Sequence, residues 1–284
     1  MSMADWWSSD KWNERRGKPS PDSDKGSMDF TDLEFNDGLR GTGNLTANSD
    51  GVDRIFGQFS EEDIRDLLES SEVFPGLREK GYDRFELELQ ILNELDQRIF
   101  VRQAGEVLIH LRLKLGYFRF RLHAHEPESK LMYIDWCMTR HPNTRRFRGE
   151  RLFPGQDMPG LGIFAQLTDF MGHLALGVKC RGLVNIPEYF HDALLFVRYC
   201  KFYDPQKEIF FRALIRDLRR HGARRISNAF EEGRIRDQDG KTVSWRPGEM
   251  ISALDGSLKE FLWTDEYHRQ VRDGMKTVKF RLVE

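Results

Sequence analysis

The chain has 284 residues, a length that fits one or two domains. Its 44 Lys and Arg against 46 Asp and Glu give a formal net charge of −2, which argues against a dedicated nucleic-acid binder. No apolar run reaches the roughly 18 residues of a membrane span, no basic-then-apolar leader opens the sequence, and the three cysteines (Cys137, Cys180, Cys200) make no Cys-x-x-Cys pair. A soluble protein of the reduced cytoplasm is expected, with no disulfide framework and no cysteine zinc cluster.

Residues 1–56 are dense in Ser, Asp, Asn and Gly, and their apolar residues follow no helical or strand period. Such a segment buries too little surface to offset its ordering entropy, so a disordered tail is expected. Trp6, Trp7 and Trp12 within it are either incidental or a docking element for the body or a partner. The ordered domain is expected over 57–284, with a C-terminal extension from about 204.

Ser60-Glu61-Glu62-Asp63 is a capping box with Asp at its fourth place, followed by Ile64, Leu67 and Leu68 at helical spacing. Pro75-Gly76 is expected to end that helix. Phe85, Leu87, Leu89 and Ile91 alternate, but Leu92 and Leu95 continue at helical spacing, and the stretch 82–95 reads as a helix. A hairpin follows: 98–102, a turn at Ala104-Gly105, then 107–115 with Ile109, Leu111, Leu113 and Leu115 on one face. The run 131–139 is apolar on both faces, as for a central strand. After an Arg-, Gly- and Pro-rich loop, Ile163, Leu167, Phe170, Met171, Leu174 and Val178 mark a helix. A short buried strand (182–187), a helix over about 188–200, Phe202-Tyr203 as a possible strand start and a helix over 210–219 come next. Asp239-Gly240 is a type I′ hairpin signal between 234–236 and 242–245. The expected fold class is α/β, a mostly antiparallel central mixed sheet with helices on both faces.

The chemistry-bearing stretch is 154–162, Pro-Gly-Gln-Asp-Met-Pro-Gly-Leu-Gly, between a buried strand and an amphipathic helix. Glycines allow a tight turn, and the first helical N–H groups sit unpaired at the positive end of the dipole. That combination suits a phosphate or pyrophosphate, and equally an ordinary strand–loop–helix turn. Arg140, Arg145, Arg146, Arg148 and Arg151 precede it, and guanidinium groups bind phosphate in bidentate fashion. Asp135 interrupts the apolar strand, as a base or as a carboxylate paired to an arginine. His191 opens a helix, either facing a ligand or as a satisfied helix-end histidine. His123 and His125 with Glu126 and Glu128 lack a third ligand at diagnostic spacing, and no metal is expected. Arg212, Arg216, Arg219, Arg220, Arg224 and Arg225 form a basic stretch tempered by Glu208, Asp217, Glu231 and Glu232.

From about Lys130 to Tyr203 the order of these motifs resembles the Gcn5-related N-acetyltransferase superfamily. Gly160-Leu161-Gly162 matches the Gly-x-Gly of its pyrophosphate loop; Gln156 falls one place early, and Asp157 stands at the Arg/Gln position. Ala193 to Phe202 follows the family's next helix, with Val197 where most members carry a tyrosine. The resemblance implies that acetyl-CoA lies in a V between 131–139 and 183–187. Arg151, Gln156, Met158, Gly160, Leu161 and Gly162 would hold its pyrophosphate, and Asn185 its pantetheine arm or the acceptor. It implies that a backbone N–H of 131–139 polarises the thioester, that Asp135, His191 or a water takes the amine proton, and that a tyrosine such as Tyr199 serves the leaving thiolate. The activity implied is transfer of an acetyl group to an amine on a small molecule or protein. A non-catalytic binding or regulatory protein on the same scaffold stands beside it, favoured by Asp157 and Val197.

Overall fold

The computed structural model describes residues 54–93, 95–120, 128–142 and 152–284. Trp6, Trp7, Trp12, His123, His125, Glu126, Arg145, Arg146, Arg148 and Arg151 lie outside the described residues. The described chain divides into two compact units, 54–186 with 250–259, and 187–249 with 260–284.

In the first unit, α1 (Glu61–Ser70) starts at the capping box read from the sequence. Asp63 N–H donates to Ser60 Oγ at 3.2 Å, and Ser60 N–H donates to the Asp63 carboxylate at 2.8 Å. Two otherwise orphaned donors are thereby satisfied. Pro75-Gly76 does not end this helix. It lies inside α2 (Val73–Arg78), where Pro75 occupies the third position and its missing N–H has no intrahelical acceptor to lose. The break comes at Glu72, whose φ of 60° leaves the right-handed region.

The stretch 82–95 is a strand, not a helix. β1 (Glu86–Asn93) pairs antiparallel with β2 (Asp96–Gln103) from Glu86↔Arg102 to Asn93↔Asp96. Alternation at Leu87, Leu89 and Ile91 decides the matter, and Leu92, which had suggested the helical period, is 58% exposed. β2 turns into β3 (Glu106–Phe118) through Ala104 and Gly105, both at positive φ (51° and 81°), as a two-residue type I′ turn requires. β4 (Ser129–Thr139) pairs antiparallel with β3. Arg112 faces Trp136 while Leu113 faces Ile134, so Asp135 is the extra residue of a β-bulge.

α3 (Phe164–Gly177) buries the predicted stripe of Leu167, Phe170, Met171 and Leu174. It leads to β5 (Gly182–Asn185), which runs parallel to β4. β8 (Met250–Ala253) lies antiparallel on the other side of β5. The strands of this unit follow the order β1-β2-β3-β4-β5-β8, and only β4–β5 is parallel. This is the mostly antiparallel mixed α/β sheet expected. Ile99, Val101, Ile109, Leu111, Leu113 and Ile134 supply its apolar core.

The second unit holds α4 (Phe190–Phe196), shorter than expected, then β6 (Lys201–Phe202), α5 (Pro205–Leu218) and α6 (Ala223–Glu231). Five rings, of Phe190, Phe202, Phe210, Phe211 and Phe230, surround Trp245 with centroids 5.7–6.3 Å away. Trp245 Nε1–H donates to Pro187 O at 3.1 Å, which satisfies the one polar atom of the indole. The Asp239-Gly240 turn forms with Gly240 at φ 83°, but the expected hairpin is reduced to a single Arg236↔Thr242 bridge. β7 (Ile235–Asp237) pairs instead with β9 (Phe280–Leu282), a partner 43 to 47 residues away that no local signal announces. α7 (Gly256–Leu262) and α8 (Asp265–Thr277) complete the chain.

Gly182 is the tightest point of the central sheet. A Cβ there would lie 2.6 Å from the main-chain oxygen of Ser252 and 3.3 Å from the Leu131 side chain. Gly182→Ala is therefore expected to lower stability by about 1–3 kcal/mol, read from the urea unfolding midpoint. An unchanged midpoint would contradict the close approach of β5 and β8.

Candidate functional site

β4 and β5 are paired over only three positions: Leu131↔Gly182, Met132↔Leu183 and Tyr133↔Val184. β5 then ends at Asn185, while β4 runs six residues further to Thr139, about 20 Å at the usual strand rise. The two central strands therefore part after Tyr133, and the β4 edge beyond it has no strand partner on that side. Asn185 stands at the fork with 3% exposure. Its Oδ1 is enclosed and accepts no hydrogen bond among the described residues. A buried amide oxygen left so costs about 1–3 kcal/mol, which marks the fork as a place for a ligand donor or a water.

The 152–163 loop closes on the open end of β4. His141 N–H donates to Pro159 O at 2.9 Å, and Leu161 N–H donates to Thr139 Oγ1 at 3.1 Å. The Leu161 amide, expected to face a ligand, is thus spent within the protein, and its side chain is buried at 2% exposure. Gly160 is required by this approach, since a Cβ would come within 3.0 Å of Thr139 Oγ1. Gly162 has φ +67°, a conformation that favours glycine. α3 begins from Ile163 without a side-chain cap, and the N–H groups of Gly162 and Ile163 have no acceptor among the described residues. Gln156 and Met158 are both exposed, and Gln156 Oε1 accepts from Phe153 N–H at 3.3 Å. Asp157 is bonded to Arg140, so its carboxylate is matched by a guanidinium.

Asp135 projects from the bulge into a ladder of charges. Lys114 Nζ lies 2.9 Å from one carboxylate oxygen and Arg112 Nε 3.1 Å from the other. Of the two readings open in the sequence, the geometry matches the paired carboxylate. Each oxygen meets one cation, and the two positive charges hold the carboxylate in place.

His191 and Tyr199 belong to the second unit. His191 is buried in the first turn of α4 and stacks on Tyr189 at 5.3 Å. Burial pushes its imidazole down to about 4, so at neutral pH the ring is uncharged. Its 3.4 Å approach to Asp192 Oδ1 is then the contact of a neutral ring, not an ion pair. Asp192 itself accepts from Tyr189 N–H at 3.1 Å, and burial raises its carboxyl to about 6. Tyr199 is half-buried just past α4, with its N–H on Phe196 O at 2.9 Å, and Val197 is buried.

The structure therefore gathers Asp135, Gly160, Leu161, Gly162 and Asn185 in one unit and places His191 and Tyr199 in the other. Arg112 and Lys114, which the sequence places with His110 on the polar face of 107–115, and Thr139, the end of the 131–139 run, were not expected at the site; alternation along a strand marks a face but not a partner. Glu208 and Asp217, set beside the basic stretch, are used internally. Glu208 accepts from Phe202 N–H and pairs with Arg212, while Asp217 holds Arg216 and Phe280 N–H. Among the described residues no three His, Cys, Asp or Glu side chains come together in a way that could hold a metal ion, and no helix is long and apolar enough to cross a membrane. No known family model and no curated protein matches the chain.

His191 and Asp192 act on stability in opposite directions between pH 6.5 and 4. The His191 value is depressed in the fold, so the unfolded chain binds the proton first and stability falls as pH drops through this window. The Asp192 value is raised, so the folded chain binds first and stability increases over the same interval. His191→Gln should therefore gain on the wild type, by up to about 3 kcal/mol, as pH is lowered from 7 to 4, and Asp192→Asn should show the reverse trend. Urea unfolding at three pH values reads both; parallel curves for wild type and His191→Gln would contradict the neutral buried ring.

Proposed function

We propose that the chain is an acyl-CoA-dependent N-acyltransferase that moves an acetyl group from acetyl-CoA to an amine in the cytoplasm, on a fold of the Gcn5-related kind. The observation that carries this reading is the fork: β4 leaves β5 after Tyr133 and runs on, paired only with β3, toward the glycine loop and the uncapped start of α3. A thioester arm entering between the strands would meet the orphaned Oδ1 of Asn185. The bulge at Asp135 turns main-chain groups out of the ladder, and one such N–H would polarise the thioester carbonyl. The unpaired N–H groups of Gly162 and Ile163 would face the diphosphate. With Asp135 held by two cations, the amine proton would leave through water.

A non-catalytic binding or regulatory protein on the same scaffold is the second reading. The Leu161 amide committed to Thr139 and the buried Val197 in place of a tyrosine favour it. Donor binding without release of free CoA across a set of amines would support this alternative.

Acetyl-CoA at a hundred times its dissociation constant is expected to stabilise the chain by about 2.7 kcal/mol, visible as a raised melting temperature. Gly160→Leu, which crowds Thr139, should remove that shift. An unmoved melting temperature at millimolar acetyl-CoA would leave the transferase reading without support.

A further inference from the structure

Where α5 gives way to α6 the chain reads Arg219-Arg220-His221-Gly222-Ala223-Arg224-Arg225, and all four arginines are exposed. Arg219–His221 form a single 3-10 turn, and Gly222, at φ 77°, starts α6 without a side-chain cap. Arg220 Nε–H donates to His221 Nε2 at 3.3 Å, a bond that a neutral imidazole accepts. Burial, and then the charges of Arg220 and Arg225, hold the ring toward that neutral form, and no carboxylate opposes them there. Arg220, His221 and Arg225 therefore stand within one another's field, flanked by Arg219 and Arg224.

The carboxylates nearest in sequence are committed elsewhere. Glu208 pairs with Arg212, Asp217 holds Arg216 and the Phe280 N–H, and Glu232 pairs with Arg234. Glu231 closes the far end of α6. Among the described residues no carboxylate lies within ion-pair distance of Arg219, Arg220 or Arg225. Arg224 and Arg225 stand in the first turn of α6, where the helix dipole disfavours cations and welcomes an anion. Like charges gathered on one corner, at the wrong end of a helix, break local rules with no compensation among the described residues, which points to an anionic occupant.

The sequence supplies one. Residues 22–37 hold Asp22, Asp24, Asp29, Asp32, Glu34 and Asp37 against Lys25 alone, whereas residues 1–21 carry three acidic and four basic side chains. The acidic charge is thus confined to one stretch, and sixteen residues (38–53) tie it to Arg54, where the described chain begins. We propose that the Arg219–Arg225 corner is the docking surface for this acidic stretch of the same chain. Guanidinium groups bind carboxylates in bidentate fashion, and the six carboxylates recur two to five residues apart. Charge also selects this occupant over a nucleic acid. A chain of net charge −2 gives a polyanion no long-range attraction, whereas a tethered segment is already present. Where its linker spans the sites, a tether raises the local concentration of such a segment to about the millimolar range. The contacts lie at an exposed corner, so salt screens them.

The test follows amide hydrogen exchange in the full chain, in peptides covering 28–37 and 219–226. Exchange in both should be slower by about fivefold or more at about 0.05 M than at about 0.5 M sodium chloride, and unchanged on dilution of the protein. The slowing should vanish in Arg220→Glu/Arg225→Glu and in Asp29→Lys/Asp32→Lys/Glu34→Lys. It should return when the two sets are combined, an outcome that loss of folding in either variant would not give. Exchange that salt leaves unchanged in both segments overturns the docking. Slowing at 219–226 that survives the reversal of Asp29, Asp32 and Glu34 also overturns it, because another group then fills the corner. Slowing that fades on dilution makes a second copy of the chain the partner and overturns the intramolecular contact. Binding of a single-stranded DNA that depends on Arg220 and Arg225, with exchange at 28–37 indifferent to salt, assigns the corner to a nucleic acid and overturns the proposal.

Discussion

Three residue pairs hold β4 to β5, and the brevity of that parallel contact governs the rest of the first unit. A parallel pair cannot be joined by a tight turn; it needs a long crossover, supplied here by the loop and α3. The crossover returns the chain beside the first half of β4, because α3 ends at Gly177 and β5 enters at Gly182 opposite Leu131. Only four residues later β5 is finished. The second half of β4 is then paired on the β3 side alone, and its exposed edge points at the loop that the crossover itself created. Cleft and loop are two consequences of one short register.

Closure of that loop shows competition for the same hydrogen-bonding groups. The Leu161 amide could serve a ligand or the protein, and Thr139 Oγ1 takes it. The bond fixes the loop against β4, and Gly160 makes the approach possible by lacking a Cβ. The next two amides, of Gly162 and Ile163, meet no acceptor among the described residues, and the chain turns through positive φ at Gly162 before α3 begins. A loop held firmly at one residue and left open at the following two is preorganised, and ordering it on ligand binding would cost less than ordering a free segment.

Much of this could be read in the sequence, and the failures have physical causes. The capping box at Ser60, the turn at Ala104-Gly105, the strand over 131–139 and the stripe of α3 are local signals, and each appears where its residues predicted, although one face of β4 is open at Trp136 rather than covered. β1 was misread because Leu92 and Leu95 completed a helical period that pairing with β2 overrode. Pro75-Gly76 misled because proline stops a helix only beyond its first turn. The β7–β9 pairing joins segments without any local cue. At the candidate site, the glycine loop and Asn185 were legible from residue type. The partners of Asp135 were not, since Arg112 and Lys114 are 21 to 23 residues away and meet it only through strand register.

The bulge at Asp135 decides which side chains of β4 share its polar face. Without the extra residue, Asp135 and Trp136 would point to opposite faces of the strand. With it, both share the polar face, where Asp135 binds Arg112 and Lys114 and Trp136 stands beside Arg112. A carboxylate fixed by two cations is a poor base but a good strut, since it holds the guanidinium and ammonium groups at set positions along the strand. Its contribution to chemistry would then be indirect. It would fix the spacing of charges along the strand rather than take the proton itself.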